Sequence, residues 1–325
     1  MRALVVEALA PDYGGCVLKD LPTPDPGPGE VLVEVKAASV NFPDLLMTRG
    51  EYQHKPPLPF IPGLEISGVV AALGEGVDRF KVGDEVVGGA RVGGFSDLAI
   101  GHAMGLRPKP ERLSFSQAAA YGAAYLTAYV ALVRRAQVEP GEWVLVQGAA
   151  GGVGLACVDL AKALGCRVIA ASASDEKLKV VAQEYAPDAV VNVTGGFRDK
   201  VKEITGGRGA DVIYDPVGGD VFDESVRCIA FNGRLLVVGF TSGRIPTISV
   251  NMPLIKGFSV VGVRAGEYGR QFPEKGRENG AAIWRLAAEG KVRPRVHHEY
   301  ALDDWRAAFD SLANRTVIGK AVIRP

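Results

Sequence analysis

Apolar and polar positions follow two different patterns along the chain. From Met1 to about Tyr121, short apolar runs of β type are separated by turn residues; Val31 to Ala37 and Ile66 to Leu73 are two such runs. Runs of this length between Gly and Pro residues are typical of short strands. The first part of the chain is therefore predicted to form a small β-barrel or folded sheet.

After a helical stretch from Phe115 to Arg135, strand-like and helix-like segments alternate. The alternation begins with strand Trp143 to Gln147 and helix Gly152 to Leu164, and it ends with strand Phe258 to Val263. Each return to a parallel strand requires a crossover, so this order predicts an α/β fold with a doubly wound parallel sheet, the Rossmann arrangement.

The rest of the chain is too short for a third core. We expect a helix over about Lys275 to Glu289, a helix over Leu302 to Leu312 and a strand over Thr316 to Ile323, all returning to the first domain. A length of 325 residues suits two domains, because single cores stop growing at roughly 250–300 residues. The predicted domains are residues 1–124 with residues 265–325, and residues 125–264.

Charge and composition narrow the range of partners. Lys plus Arg and Asp plus Glu each number 37, so no basic surplus indicates a nucleic acid or an anionic membrane. The first residues lack the apolar stretch of a signal peptide, and no run reaches the ~18 apolar residues of a membrane span. The four cysteines are scattered, without a Cys-x-x-Cys pair. We therefore expect a cytoplasmic protein without a disulfide framework or a zinc ribbon.

A glycine-rich loop follows the first strand of the alternating region. The strand leads into Gly148-Ala-Ala-Gly-Gly-Val-Gly154 and then directly into a helix. Small residues let the backbone amides of the helix start approach a diphosphate, whose charge is stabilised at a helix N-terminus. This placement predicts dinucleotide binding. The expected phosphate contacts are Gly151, Gly152, Val153 and Gly154.

The end of the second strand of this region indicates which dinucleotide is bound. NAD-selective sites usually have an acid there for the ribose 2′-hydroxyl, whereas here Ser172 and Ser174 are followed by Lys177. Small hydroxyl side chains leave room for a 2′-phosphate and the lysine supplies charge, which predicts NADPH (NADP+). Two alternatives stay open: Ser174 caps the next helix while Lys177 is a solvated surface residue, or Asp175 binds the ribose of NAD.

A set of short segments carries a resemblance over nearly the whole chain. The segments are Ala37-Ala-Ser-Val-Asn41, Pro62-Gly-Leu-Glu-Ile-Ser-Gly68, Val82-Gly-Asp-Glu-Val86, Ala149-Ala-Gly-Gly-Val-Gly154, Tyr214-Asp-Pro-Val-Gly218 and Gly319-Lys-Ala-Val-Ile323. In this order and spacing they resemble the medium-chain dehydrogenase/reductase superfamily, in particular its zinc-independent NADPH:quinone oxidoreductase (zeta-crystallin-like) branch. The resemblance implies a Rossmann NADPH-binding domain inserted into a GroES-like, β-rich catalytic domain.

The resemblance also implies that no catalytic zinc is bound. Zinc-containing relatives have a cysteine at the position of Asn41 and a histidine at the position of Leu64, beside a glutamate that is present here as Glu65. An amide and an alkyl chain do not provide the usual zinc ligands. The segment from Val92 to Ser96 passes on without the four-cysteine cluster of a structural zinc lobe. We therefore expect catalysis by positioning a hydride donor against an electron-poor acceptor.

The resemblance assigns further residues to the cofactor and the reacting groups. Asn41 and Thr127 are expected near the nicotinamide and its ribose, and Tyr52 lies in a loop that lines the substrate cleft; these three are the candidate catalytic residues. Tyr125 is expected to line the same cleft. Val193 is a departure, because some relatives have a tyrosine there against the 2′-phosphate. The other expected cofactor contacts are Val238, Gly239, Phe240, Val263, Arg264, Asn314 and Lys320.

Quinone reduction is the leading hypothesis for the activity. Reduction of an enone or an enoyl-thioester fits the same cofactor site, since the shape of the cleft selects the acceptor. A structural or regulatory NADPH-binding protein with little turnover is an alternative of another class. The apolar strand Phe258 to Val263 predicts a homodimer or a dimer of dimers, because it would otherwise leave an exposed hydrophobic edge.

Overall fold

The computed structural model describes residues 1–90 and 92–325. Two compact units divide the chain. The terminal unit comprises Met1–Ala123 and Pro294–Pro325, and the central unit comprises Ala124–Arg293.

Both units combine strands with helices. In chain order, the strands are β1 (Arg2–Val6), β2 (Cys16–Asp20), β3 (Glu30–Ser39), β4 (Glu65–Leu73), β5 (Glu85–Gly89), β6 (Leu98–His102), β7 (Leu106–Pro108), β8 (Trp143–Val146), β9 (Arg167–Ser172), β10 (Ala189–Asn192), β11 (Ala210–Asp215), β12 (Ile229–Val237), β13 (Ser259–Gly262), β14 (Val296–Ala301) and β15 (Lys320–Arg324). The α-helices are α1 (Phe42–Thr48), α2 (Phe115–Ala119), α3 (Gly122–Tyr129), α4 (Gly152–Ala163), α5 (Asp175–Tyr185), α6 (Arg198–Ile204), α7 (Gly219–Cys228), α8 (Asn251–Lys256), α9 (Ala265–Gln271), α10 (Pro273–Ala288) and α11 (Trp305–Ala313). Val130–Ala136 is a π-helix, and Ala103–Gly105 and Leu302–Asp304 are 3-10 turns.

The terminal unit is built on a sheet with the strand order β14-β15-β3-β4-β5-β7, in which β6 also pairs with β3. Strand β15 runs antiparallel to β3, with Val322 opposite Ser39. The backbone N–H of Val40 donates to the carbonyl of Ala321 at 2.9 Å. This pairing brings the end of the chain, including Lys320, next to the residues that follow β3.

The central unit contains a parallel sheet with the order β10-β9-β8-β11-β12-β13. Strand β8 lies between β9 and β11, so the chain order reverses at β8, and ligands of such sheets bind at the carboxyl end of the strands at this point. The core side chains Leu145, Ile169 and Ile213 are fully buried. The prediction of a doubly wound α/β sheet is confirmed.

The second domain boundary differs from the prediction. The helix expected over Lys275 to Glu289 forms as α10, but it belongs to the central unit, and the chain returns to the terminal unit only at Pro294. The physical reason lies in side-chain contacts: Arg134 donates to Asn279 at 2.7 Å, and Ile283 of α10 is buried. Helix α9, which was not expected from the sequence, belongs to the same unit.

None of the helices in the described part of the chain combines the length and the apolar character needed to cross a bilayer.

Candidate cofactor and active site

The glycine loop of the central unit connects β8 to α4 at the carboxyl end of the sheet. Gly148 has a φ of +59°, which favours glycine, and Gly151 is the N-cap of α4. A Cβ on Gly154 would lie 2.1 Å from the carbonyl oxygen of Gly148, so a side chain at that position cannot be accommodated. The absence of side chains lets the start of α4 pack closely against the preceding turn. The backbone N–H groups at this helix start are therefore accessible to an anion.

Helix α5 begins directly after β9, at the residues expected to select the nucleotide. Ser174 caps the helix, because its hydroxyl accepts from the backbone N–H of Lys177 at 3.3 Å. Its capping role, one of the alternatives, is thus present in the structure, while its hydroxyl hydrogen can still be donated. The backbone N–H of Ser174 donates to the Ser172 hydroxyl at 3.4 Å. Ser172 is the last residue of β9, and Ser174 follows it as the N-cap of α5.

The charged groups at this helix start have different surroundings. Asp175 accepts a hydrogen bond from the side-chain amide of Asn192, at the end of neighbouring strand β10, at 2.8 Å. Lys177 is partly buried, and burial lowers the pKa of its ammonium. The carboxylate is thus held by the strand next to β9, whereas a lysine lies one turn into α5.

The segments that follow β12 and β13 lie side by side at the same end of the sheet. The backbone N–H of Val238 donates to Asp215, and that of Val263 donates to Val237, both at 2.9 Å. The next residues, Phe240 and Arg264, are exposed. Since β11, β12 and β13 are parallel neighbours, Val238, Gly239, Phe240, Val263 and Arg264 leave the sheet at its carboxyl edge, as a cofactor contact requires.

A second polar group lies in the terminal unit, and we call Ser39, Asn41, Glu65 and Lys320 the Asn41 cluster. The side-chain nitrogen of Asn41 donates to Glu65 at 3.1 Å and lies 3.1 Å from the Ser39 hydroxyl. The ammonium of Lys320 donates to the side-chain oxygen of Asn41 and lies 3.7 Å from the Glu65 carboxylate. Ser39, Glu65 and Lys320 are buried. Three chain segments far apart in sequence thus meet at one amide.

Asp44 holds the backbone of the Asn41 cluster in place. Its carboxylate accepts from the backbone N–H of Asn41 at 2.8 Å and from that of Gly63 at 3.1 Å. Burial raises the pKa of Asp44 to about 7, although both N–H groups act in the opposite direction. Burial likewise lowers the pKa of Lys320, and the carboxylates of Glu65 and Asp44 oppose that shift.

The residues of the Asn41 cluster do not fit a zinc ion. The Glu65 carboxylate already lies beside the Lys320 ammonium, and a cation repels a second cation at this distance. The amide of Asn41 turns its nitrogen toward Glu65, and Leu64 has no donor atom. Zinc sites in proteins are built from thiolates, imidazoles and carboxylates. The ammonium of Lys320 therefore takes the place beside Glu65 that a metal would need.

The remaining predicted residues are placed separately. Tyr52 lies in a bend, with its ring partly buried against the core of the terminal unit. Thr127 lies on α3 in the central unit. Asn314 is the exposed C-cap of α11. Tyr125, which was expected to line the substrate cleft, is buried on α3 and donates its hydroxyl to Asp159 at 2.5 Å.

Sequence reasoning missed the supporting roles of Asp44 and Ser39. The spacing Asn41-x-x-Asp44 is that of a capping box, a residue that can cap a helix followed three positions later by an acid. That signal could have identified Asp44 as a residue that holds the Asn41 backbone. Ser39 is the buried last residue of β3, and only the pairing with β4 shows that it meets Glu65, to which it donates at 2.9 Å.

The chain matches two protein families in adjacent segments. Residues 27–130 match the alcohol dehydrogenase GroES-like domain, and residues 152–278 match the zinc-binding dehydrogenase family. Together these define an oxidoreductase of the medium-chain dehydrogenase/reductase superfamily.

Individual relatives narrow this class. A quinone oxidoreductase-like protein 2 homolog of Nematostella vectensis is 42% identical over 91% of this chain and 82% of its own length. Human quinone oxidoreductase is 31% identical over 96% of this chain and 95% of its own length. The structure of Escherichia coli quinone oxidoreductase, a complex with NADPH, is 30% identical, with a TM-score of 0.89 and all of both chains covered. The chain belongs to the zinc-independent, quinone oxidoreductase-like branch of the superfamily.

Proposed function

We propose that the protein is a zinc-independent oxidoreductase that transfers hydride from NADPH to a quinone or a similarly electron-poor carbonyl acceptor. The observation that carries this proposal is the strand–loop–helix of the central unit, in which Gly154 lies against Gly148 and α5 begins with two serines and a lysine. Branch membership supports the acceptor class, since several relatives are quinone oxidoreductases by name.

The glycine loop and the start of α5 fit NADPH. Backbone N–H groups at Gly151 to Gly154 would hold the diphosphate at the start of α4. Ser172, Ser174 and Lys177 would hold the 2′-phosphate, for which a lysine and hydroxyl groups are suitable donors. Bound NADPH supplies the hydride.

The preference for NADPH over NADH rests on the charges at this helix start. In an NAD-selective site the acid is directed at the ribose hydroxyls, whereas one oxygen of Asp175 accepts from Asn192 on the neighbouring strand at 2.8 Å. Lys177 is the cation on the same helix turn, and a doubly charged phosphate gains most from it. The NADPH complex of the E. coli relative agrees with this assignment.

The proposed acceptor class follows from the misfit between the Asn41 cluster and a zinc ion. Without a Lewis acid, an alcohol is a poor substrate, because its oxidation needs a polarised oxygen. Quinones accept hydride with less assistance, so orientation and exclusion of water carry the rate. We assign contacts with the reacting groups to Asn41, Tyr52 and Thr127, and the remaining cofactor contacts to Val238, Gly239, Phe240, Val263, Arg264 and Asn314. Lys320, which is buried beside Asn41, serves cofactor binding through the Asn41 amide.

The proposal includes an assembly and a location. The exposed edge strand β13 supports a homodimer or a dimer of dimers. All four cysteines are buried free thiols, which agrees with a reducing compartment such as the cytoplasm.

The deciding experiment is a substrate panel. The purified protein, treated with EDTA and analysed for metals, is assayed for oxidation of NADPH and NADH with quinones, enones and enoyl-thioesters. The proposal predicts turnover with NADPH and quinones that survives chelation, without stoichiometric zinc. Preferred turnover of an enone or thioester would assign the protein to double-bond reduction, and loss of activity with removal of one zinc per chain would contradict the account.

A further inference from the structure

We infer that Glu65 and Lys320 are positioning residues that lock the amide of Asn41 in one orientation, so that Asn41 offers bound ligand a hydrogen-bond acceptor and no donor. The inference deepens the proposed function and rests on it, because the ligand concerned is the cofactor. It assigns to Asn41 a partner of stated chemistry, a hydroxyl or amide N–H group.

The orientation of the amide follows from its charged neighbours. The nitrogen and oxygen of an asparagine side chain have nearly the same shape, so only the hydrogen-bond network distinguishes them. An ammonium can only donate, and therefore the atom that faces Lys320 must be the oxygen. A carboxylate can only accept, and therefore the atom 3.1 Å from Glu65 must be the nitrogen. If the amide were flipped, its NH2 group would face the Lys320 ammonium, and its oxygen would face the Glu65 carboxylate. Neither pair can form a hydrogen bond.

The two hydrogens of the Asn41 amide are already used. Besides Glu65, the nitrogen has the hydroxyl of Ser39 at 3.1 Å and the carbonyl of Ser39 at 3.3 Å as acceptors. An amide nitrogen carries two hydrogens, and these acceptors are enough for both. A further hydrogen bond from Asn41 to a ligand must therefore involve the oxygen.

Glu65 and Lys320, the two charged residues that orient the amide, are themselves fixed by other contacts. Glu65 also accepts from the Ser39 hydroxyl at 2.9 Å and from the backbone N–H of Ala123 at 2.5 Å. Lys320 is the first residue of β15, which pairs with β3, and is buried. Because both charges are buried on strands of one sheet, rotation of the amide would turn its nitrogen toward the Lys320 ammonium and its oxygen toward the Glu65 carboxylate, which is costly.

This orientation changes the role of Asn41. A quinone or enone presents a carbonyl oxygen, which needs a donor, so Asn41 does not polarise the acceptor. The cofactor presents ribose hydroxyls and a carboxamide N–H, which are donors. Asn41 is therefore a binding residue for the nicotinamide half of the cofactor, and Glu65 and Lys320 act through it.

The test exchanges the side-chain amide of Asn41 with the side-chain carboxylate of Glu65. In the double variant Asn41→Asp/Glu65→Gln, the new amide can donate to the new carboxylate and Lys320 still has an anionic partner, so the acceptor is kept and total charge is unchanged. The single variants complete the cycle: Asn41→Asp places two carboxylates together, and Glu65→Gln removes the carboxylate that faces the Asn41 amide. Glu34→Gln, an exposed carboxylate in the same unit, is the control for loss of a charge. All are compared with the wild type by thermal unfolding and by titration with NADPH and with 2′,5′-ADP, which lacks the nicotinamide half.

We expect Asn41→Asp to lower the melting temperature and the double variant to recover most of it. The double variant should bind NADPH within about threefold of the wild type, whereas Lys320→Met, which frees the amide to rotate, should weaken NADPH about tenfold, the effect of one hydrogen bond. Binding of 2′,5′-ADP should not change in any variant.

Two results would overturn the inference. One is a double variant that melts like the wild type and binds 2′,5′-ADP normally but has lost NADPH affinity more than tenfold, since Asn41 would then have to donate. The other is unfolding effects that simply add, since Glu65 would then not hold Asn41. If the double variant does not fold, unchanged NADPH binding by Lys320→Met contradicts the inference. Variants that show the unfolding coupling, together with a wild type that does not bind NADPH, would instead refute the proposed function and leave the inference about the amide orientation in place.

Discussion

The buried carboxylate of Asp44 accepts a hydrogen bond from the backbone N–H of Gly63 at 3.1 Å, and so ties the start of α1 to the segment that leads into β4. The other oxygen of the same carboxylate accepts from the backbone N–H of Asn41 at 2.8 Å. The backbones of Asn41 and of Gly63, which lies two residues before Glu65, are thus held by one acid.

This arrangement makes stability depend on pH in a definite direction. Burial raises the pKa of Asp44 from its ordinary 3.8 to about 7. Between about pH 4 and pH 7 the folded state binds this proton more tightly than the unfolded state, so the free energy of unfolding falls as the pH rises through that window. Asp44→Asn should lessen this decline, as measured by urea unfolding at a series of pH values.

The control for that series is Asp78→Asn, which neutralises an exposed acid in the same unit. It should follow the wild-type pH dependence. Parallel curves for wild type and Asp44→Asn would show that Asp44 titrates near its ordinary pKa in the folded protein.

Lys177 provides the test of cofactor selectivity. Replacement of Lys177 by alanine removes a charged partner of the 2′-phosphate, so it should weaken NADPH by about 1.5–3 kcal/mol and leave NADH nearly unchanged. Isothermal titration with both cofactors measures the difference. Lys179→Ala, an exposed lysine on the same helix, should have little effect on either. An equal loss for both cofactors, or a wild type that prefers NADH, would argue against the assignment.

The alternation of strands and helices predicted the central sheet well, because each element is long enough to show its period. Strand β8 and helix α4 begin at the predicted residues, Trp143 and Gly152, and end at Val146 and Ala163. The sequence did not predict helix α8 or strand β14, and it did not predict that α10 begins at Pro273. The amphipathic stripe of α10 does not reveal which domain covers it; that is decided by Arg134, far away in sequence.

The candidate site shows the same division. The glycine loop could be predicted because phosphate binding needs small residues in one continuous segment. The Asn41 cluster could be predicted only in part, because its residues come from the end of β3 and from the first residues of β4 and β15, which are separate in the sequence. Sequence comparison singled out Asn41, Glu65 and Lys320 one by one, but their contacts depend on the pairing of β3 with β4 and β15.

The predicted homodimer or dimer of dimers can be tested at the edge strand β13. Val260 of β13 is exposed, and so are Phe231 of the neighbouring strand β12, by 82%, and Leu254 of the preceding helix α8, by 81%. Val260→Lys should therefore shift a dimer toward monomer in light scattering at micromolar concentration. Val190→Lys on β10, the opposite edge strand, is the matched control and should leave the assembly intact. A monomeric wild type would refute the predicted dimer.

Tyr52 tests whether orientation or proton transfer carries the rate. Tyr52→Phe keeps the shape that packs on the terminal-unit core and removes only the hydroxyl. If the residue orients the acceptor, kcat/KM should fall by less than about tenfold, or roughly 1.4 kcal/mol. A loss of about 10²–10⁴-fold with NADPH affinity intact would identify Tyr52 as a general acid and would favour enone over quinone reduction.

Hydride transfer from NADPH to the acceptor is the central claim, and single-turnover kinetics with stereospecifically deuterated NADPH test it most directly. The protein, saturated with NADPH carrying deuterium on one or the other face of C4, is mixed rapidly with a quinone, and the oxidation of NADPH is followed by absorbance. Direct transfer predicts a primary isotope effect with deuterium on one face and almost none with deuterium on the other, because the bound nicotinamide presents a single face to the acceptor. NADPH that is not oxidised within the turnover, or that is oxidised at the same rate with label on either face, would contradict the account.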